Sequence, residues 1–333
     1  MVLHDVFLYG DPEPKHLYIS GGLIRRVTNN RSELDRINDP ERWLLDGALV
    51  LPGFINSHDH LDFNCYPQLG NRVYNNYTEW GTSIHREFAD TIAAVQKIPQ
   101  SLRVQWGLYK NLLSGFTTVV HHGNPVGNEN FPVQLFQDCR CLHSPSFEKN
   151  WVRKLNNPLR RKQTVVMHIG EGTDSFSCRE IEQVRKKNFL RRPIVAVHGV
   201  AMTAAQAGSF AGLVWCPATN MFLLQQTARV KELQTLLPVV FGTDSTLTSD
   251  WDIAGHFRVA LQSGQVQEEQ LLAMLTAHPA ALWHMQDRGK VREGMRADLL
   301  VLRKDENILD RFRSALQMVL INGEAELVRT DFS

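Results

Sequence analysis

The sequence predicts an α/β fold: a (β/α) TIM-type barrel, with one strand-helix unit expected to be reduced or missing, beside a small β domain built from both chain ends. Two observations carry this. From about residue 49, short apolar runs alternate with helical stretches, the pattern of a parallel sheet covered on both faces, and six or more such units suggest a closed barrel. Both termini instead read as short strands between Gly, Pro and Asn turn signals, and neither end has enough strands to bury a face alone. The expected division is 1–48 and 286–333 for a β-sandwich-like domain and 49–285 for the barrel.

The N-terminal strands are "DVFLYG", "HLYISGGLIRRVT" and "RWLLDGALV". The barrel runs follow as "TTVVHHG", "VQLFQDCRCLHS", "TVVMHIGEG", "PIVAVHGV", "GLVWCP" and "PVVFGTDS". Between them, Ser177 with Glu180 three residues later reads as a capping box opening "IEQVRKKNFL". In "DWDIAGHFRVALQ", Trp251, Ile253, Ala254, Phe257, Ala260 and Leu261 share one helical face. Strands return as "ADLLVLR" and "ALQMVLINGEAELV", where Asn322-Gly323 signals a hairpin turn. One stretch is short. His168 follows His122 by 46 positions, tight for two complete strand-helix units plus a strand, because a βαβ unit takes about 30 residues or more. "VQLFQDCRCLHS" is therefore the third strand, the fourth, or a merger of the two.

Composition excludes several classes of function. With 36 Lys+Arg against 35 Asp+Glu, the chain lacks the basic excess that nucleic-acid or membrane-surface binding draws on. Five cysteines are too few and odd in number for a disulfide framework. The N-terminus lacks the basic start and apolar core of a signal peptide, and no segment has the roughly 20 apolar residues of a membrane span. A soluble, cytoplasmic protein is expected, with no nucleic-acid or membrane partner.

In "ALVLPGFINSHDHLDF", strand alternation puts His58 and His60 on one face and Asp59 on the other. Two neutral imidazoles are half of a four-coordinate metal site. Reading which residues end each run gives His58 and His60, His121 and His122, His143, His168, His198 and Asp244. Any one of these is explained as a packed or solvated histidine; the whole set on one rim is not. Glu171 follows His168 by three residues across Gly170, close enough to move protons beside a metal-activated water. Asp244 suits a ligand that also accepts a proton, although a helix N-cap role for it or Ser245 fits the sequence equally. Cys139, Cys141 and His143 alternate along one face, read as interior thiol packing with His143 reaching the substrate rather than as a second metal site. The loop "FNCYPQLGNRVYNNYTEWG" suits a flat nitrogenous ligand; alternatively Tyr74, Tyr77 and Trp80 pack the loop down or form a subunit contact, as in a homodimer. Trp80, His122 and His143 are the candidate substrate contacts.

The segments "LPGFINSHDH", "SGFTTVVHHG", "HIGE", "VAVHG", "WCPATNMFL", "FGTDS", "HPAALW" and "GKVREGMRADLLVL", in order from about Asp46 to Leu302, resemble the amidohydrolase superfamily, in the branch of the cytosine, guanine and adenosylhomocysteine deaminases and the triazine hydrolases. The resemblance implies one divalent metal ion, Zn²⁺ or Fe²⁺, ligated by His58, His60, His168 and Asp244. It also implies Glu171 as proton shuttle, His198 as contact to the attacking or substrate oxygen, and Asp244 as base. No lysine ends the strand before "HIGE", so a carboxylated-lysine bridge between two metals is not expected. The implied function is hydrolytic deamination of a small nitrogen heterocycle or cyclic amidine. Ring-amide hydrolysis or displacement of chloride or amine is the alternative, and a catalytically silent binding protein on the same scaffold is the reading of another class.

Overall fold

Pro52 and Gly53 mark the seam between two sheet systems in the computed structural model of the protein, which describes residues 1–127, 131–160, 162–304 and 308–330. Before the seam come β1 (Val2–Leu8), β2 (Lys15–Ser20), β3 (Leu23–Thr28), β4 (Arg42–Leu44) and β5 (Leu49–Pro52). After it come β6 (Phe54–Asp59), β7 (Phe116–His121), β8 (Gln134–Phe136), β9 (Arg140–Leu142), β10 (Val165–Ile169), β11 (Ile194–His198), β12 (Gly212–Trp215) and β13 (Val239–Phe241). The chain closes with β14 (Leu299–Leu302), β15 (Leu316–Ile321) and β16 (Glu324–Val328).

Both chain ends build one sheet, ordered β16-β15-β14-β5-β1-β2-β3 with β4 alongside β1. It folds over so that β3 meets the segment before β14: the Ile24 amide donates to the Met295 carbonyl and the Ala297 amide to that of Gly22. Period-two alternation gives β14 two jobs. Leu299 and Val301 enter the core inside this sheet with Leu3, Leu17 and Val50, while Leu300 and Leu302 join the larger core on the barrel side. The Asn322-Gly323 turn joins β15 to β16 with φ of 54° and 81°, the positive pair a two-residue hairpin needs.

The sheet does not stop at residue 48. β5 pairs with β1 and β14, so residues 49–52 belong to the terminal sheet, although the apolar run continues unbroken into the barrel. Gly53 makes the turn possible, since a Cβ there would fall 2.4 Å from the Thr117 side chain. Residues 305–307 and 331–333 of the expected C-terminal portion lie outside the described residues.

Two parallel sheets, β6-β7-β8 and β9-β10-β11-β12-β13, make up the central unit, and the Asp244 amide donates to the His58 carbonyl at 3.0 Å, tying the end of β13 to β6. The short stretch resolves as a finding. Among the described residues β8 pairs with β7 alone and β9 with β10 alone. Three residues, 137–139, link them without a helix. Residues 122–127 and 131–133, between β7 and β8, form no helix either. "VQLFQDCRCLHS" thus supplies both the third and the fourth strand, each cut to three residues. Among the described residues the two connections β7–β8 and β8–β9 carry no helix, and only the short α-helix Trp151–Leu155 remains between β9 and β10.

The expected capping box is not formed. The helix Ser175–Lys187 starts three residues earlier than expected, where Asp174 in place of Ser177 is the cap and accepts from the Ser177 amide at 2.9 Å. Glu180 is freed from capping and turns inward, accepting from the Gly170 amide at 3.0 Å and the Tyr77 hydroxyl at 2.5 Å. The helix Ile253–Gln262 buries Ile253, Ala254, Phe257 and Ala260 as its spacing requires, whereas Trp251 precedes it and packs on Trp106.

Candidate metal centre and active-site cavity

β6 is buried along its whole length, so alternation has nowhere to put a misdirected side chain. His58 and His60 face one way. Asp59 faces the other, into a polar cluster with Lys110 and Asn111. His168, at the end of β10, completes a tight group: its Nε2 lies 3.1 Å from His58 Nε2 and 3.3 Å from His60 Nε2. Asp244 Oδ1 lies 3.7 Å from Nε2 of both His58 and His60. His58, His198 and Asp244 form a second convergent group sharing His58.

The donor chemistry fits a divalent cation. His168 Nδ1 faces the His143 carbonyl at 2.8 Å, so that nitrogen donates and the Nε2 lone pair points into the cluster. Burial, reinforced by the neighbouring imidazoles, holds His58, His60 and His168 well below the ordinary histidine pKa. Three neutral rings whose nitrogens crowd together at such distances lack enough protons to satisfy one another. Ligands about 2.0–2.2 Å from a tetrahedral ion stand roughly 3.3–3.6 Å apart, close to the separations seen.

The outer partners are laid out around this centre. Asp244 Oδ2 accepts from Thr219 at 3.0 Å and Thr248 at 3.2 Å. Burial nevertheless raises its pKa to about 6. His198 Nδ1 donates to Asn220 Oδ1 at 3.0 Å, leaving Nε2 facing Glu171 Oε2 at 3.6 Å and Asp244 Oδ2 at 4.0 Å. Burial depresses His198 to about 4, so it is neutral near pH 7. Glu171 is pushed well above the carboxylate range, by burial first and then by Asp244 and Glu180, which favours its protonated form. His198 and Asp244 both have left-handed backbones, φ 70° and 57°, a conformation that costs a non-glycine residue of order 1–3 kcal/mol and concentrates at functional sites. Gly170, at φ 65°, gives the turn that carries Glu171 back over the mouth.

The other expected residues divide. Trp80 and His143 line a cavity of about 470 Å³ above the centre, with Phe63, Tyr66, Tyr77 and Phe147, a volume that suits a small-molecule site. The aromatic loop divides between packing and cavity lining. Tyr74 is packed down under Leu223, while Trp80 bonds the Leu69 carbonyl through Nε1 and still presents its ring to the cavity. His122 is not a cavity residue. It is buried against His168 at a centroid distance of 4.3 Å, and neither ring nitrogen has a protein hydrogen-bond partner. His121 turns away to the Asn124 carbonyl. Cys139 packs within an apolar cluster.

Asn220, Thr219, Thr248 and Lys110 escaped the sequence reading, and Glu180 entered it only as a capping residue. Thr219 and Asn220 sit in the first turn of the helix Pro217–Leu224, directly after β12. That strand end lacked a histidine, and the polar pair inside "WCPATNMFL" was the available signal.

A model of the amidohydrolase family matches residues 149–325. The 5-methylthioadenosine/S-adenosylhomocysteine deaminase of Pyrococcus furiosus is 23% identical over 91% of this chain and 86% of its own length. Among solved structures, an adenosine deaminase from Xanthomonas campestris with bound zinc superposes with a TM-score of 0.75 at 17% identity, covering 98% of this chain and 92% of that one. Guanine deaminase from C. acetobutylicum gives 0.71 at 14% identity, covering 97% and 99%. At these identities the structural matches establish a shared fold.

Proposed function

The chain belongs to the amidohydrolase family, and on that premise we propose that it is a mononuclear metal-dependent deaminase of an amino-substituted nitrogen heterocycle, an adenine nucleoside being the first candidate. The observation that carries the proposal is the convergence of His58, His60, His168 and Asp244 beside a carboxyl group, Glu171, biased toward its protonated form.

His58, His60, His168 and Asp244 would hold the ion, zinc being the first choice for a set of three imidazoles and one carboxylate. When bound, such an ion makes water nucleophilic near pH 7 and polarises the reacting carbon. The side chains account for the remaining proton movements. Neutral His198, fixed by Asn220, presents Nε2 to accept a hydrogen bond from the attacking water and so orient it. Asp244 takes the water's proton; a carboxyl group raised to about 6 is basic enough to hold it briefly and acidic enough to return it. Glu171, already favouring the protonated state, delivers a proton to the ring nitrogen next to the attacked carbon. The amino group then leaves as ammonia with the proton that Asp244 returns, and the new hydroxyl gives its proton back to Glu171 as the carbonyl forms. Phe63, Tyr66, Trp80 and Phe147 supply the flat apolar wall that a heterocycle stacks on.

The cavity of about 470 Å³ above the candidate centre supports a small-molecule substrate. No helix among the described residues is long and apolar enough to cross a membrane, and the cysteines are free, which supports placing the activity in a reducing cytoplasm. The test is ammonia release by metal-loaded protein from a panel of aminopurines and their nucleosides, pyrimidines, triazines and pterins. Release from one class is expected. Release of carboxylate, chloride or alkylamine in place of ammonia would redirect the assignment, and no turnover by fully metal-loaded protein would overturn it.

A further inference from the structure

Behind the candidate metal centre lies a buried polar cluster that the chemistry above does not use. Asp59, between His58 and His60, is fully buried, and Lys110, from the helix Gln100–Leu113, is 2% exposed. Lys110 Nζ reaches Asn64 Oδ1 at 2.7 Å, Thr243 Oγ1 at 3.3 Å and Asp59 Oδ2 at 3.4 Å. Asp59 also accepts from Asn64 at 2.7 Å, Asn111 at 2.8 Å, Asn56 at 3.2 Å and Thr243 at 3.2 Å. A buried ion pair is weak evidence for stability, because desolvation offsets its attraction, but removing one partner strands the other charge.

What the cluster grips gives it a role. Asn56 Oδ1 accepts from the backbone amides of His58 and Thr243, at 3.3 and 3.1 Å, and Asn64 donates to the His60 carbonyl at 3.2 Å. The His58 amide, the His60 carbonyl and the amide of Thr243, the residue before Asp244 on the far side of the seam between β13 and β6, are therefore held by one hydrogen-bonded unit. Its only charges are Asp59 and Lys110.

We propose that Asp59 and Lys110 are positioning residues that hold His58, His60 and Asp244 in metal-binding register. The inference rests on the metal-site reading above. Outer partners of metal ligands typically contribute 10–100-fold in metal affinity. Stranding the Asp59 carboxylate is expected to distort the clamp, while neutralising both charges together removes the stranded charge and keeps one acceptor oxygen for Asn56, Asn111 and Thr243, losing only the bond from Asn64.

The test measures zinc affinity of the full chain by competition with a chromophoric chelator, alongside thermal unfolding of the metal-free protein. Lys110→Met is expected to weaken zinc binding about 10–100-fold, and the Asp59→Asn/Lys110→Met double variant to recover part of that loss. Should Lys110→Met not yield folded protein, Asn64→Ala, which removes the link to the His60 carbonyl, is expected to weaken zinc binding about tenfold. Parent protein that binds no zinc would overturn the metal-site reading itself. Parent protein that binds zinc while the folded variant matches it within twofold, with only the unfolding temperature lowered, would overturn this proposal and leave the other standing.

Discussion

Asn220→Leu offers a sharp test of how the side chains move protons. The Asn220 carbonyl oxygen is the partner of His198 Nδ1, at 3.0 Å, and His198 is 1% exposed. Leucine has similar bulk and accepts nothing, so Nδ1–H is left buried without an acceptor. Such a stranded donor costs about 1–3 kcal/mol. The ring relieves that cost by carrying its proton on Nε2 instead, the tautomer that cannot accept a hydrogen bond from the attacking water. At about 1.4 kcal/mol per tenfold change, the working tautomer falls roughly 5- to 150-fold. We expect kcat/KM for ammonia release to fall by that factor with metal content unchanged, because Nε2 of His58, His60 and His168 is untouched. Stability drops modestly as well, through loss of the Asn220–Thr227 bond. Folded, metal-loaded Asn220→Leu protein with kcat/KM within twofold of the parent would refute the assigned orientation of His198.

Two further variants probe the acid and its support. Glu171→Gln keeps the shape of the site and removes the transferable proton, so kcat is expected to fall about 10²- to 10⁴-fold while metal is retained; steady-state kinetics with elemental analysis of the same sample checks both halves. Glu180→Gln replaces a carboxylate that accepts from both Tyr77 and Gly170 with an amide offering one acceptor oxygen, and is expected to lower unfolding free energy by roughly 1–3 kcal/mol in urea titrations.

The centre was legible because its chemistry coincides with strand periodicity. "HDH" at a strand end admits one sharing of faces, and His168, His198 and Asp244 each close an apolar run, so sequence position stood in for position on the rim. Residues that act through tertiary contacts carried no such mark. Lys110 lies in the last turn of its helix, where a lysine ordinarily meets solvent, and the close approach of Gly107 to the Leu61 backbone accompanies the packing of that helix face against Asp59. Glu180 was misread because two caps compete within three residues, and Asp174 wins by bonding the Ser177 amide. His122 follows its strand as the candidate ligands do, yet sits against them and not on the cavity wall. The paired halves β8 and β9 were hidden by continuity, since nothing in "VQLFQDCRCLHS" marks where one neighbour is exchanged for the other. The seam at Pro52-Gly53 was displaced by four residues for the same reason.

The central claim is met most directly by anomalous scattering at the metal absorption edge from crystals of protein shown to be active, with the ion identified by elemental analysis of the same batch. One divalent ion per chain is predicted, bonded to Nε2 of His58, His60 and His168 and to an Asp244 carboxylate oxygen. Active protein containing no ion, or an ion bonded to other side chains while these four point apart, would contradict it.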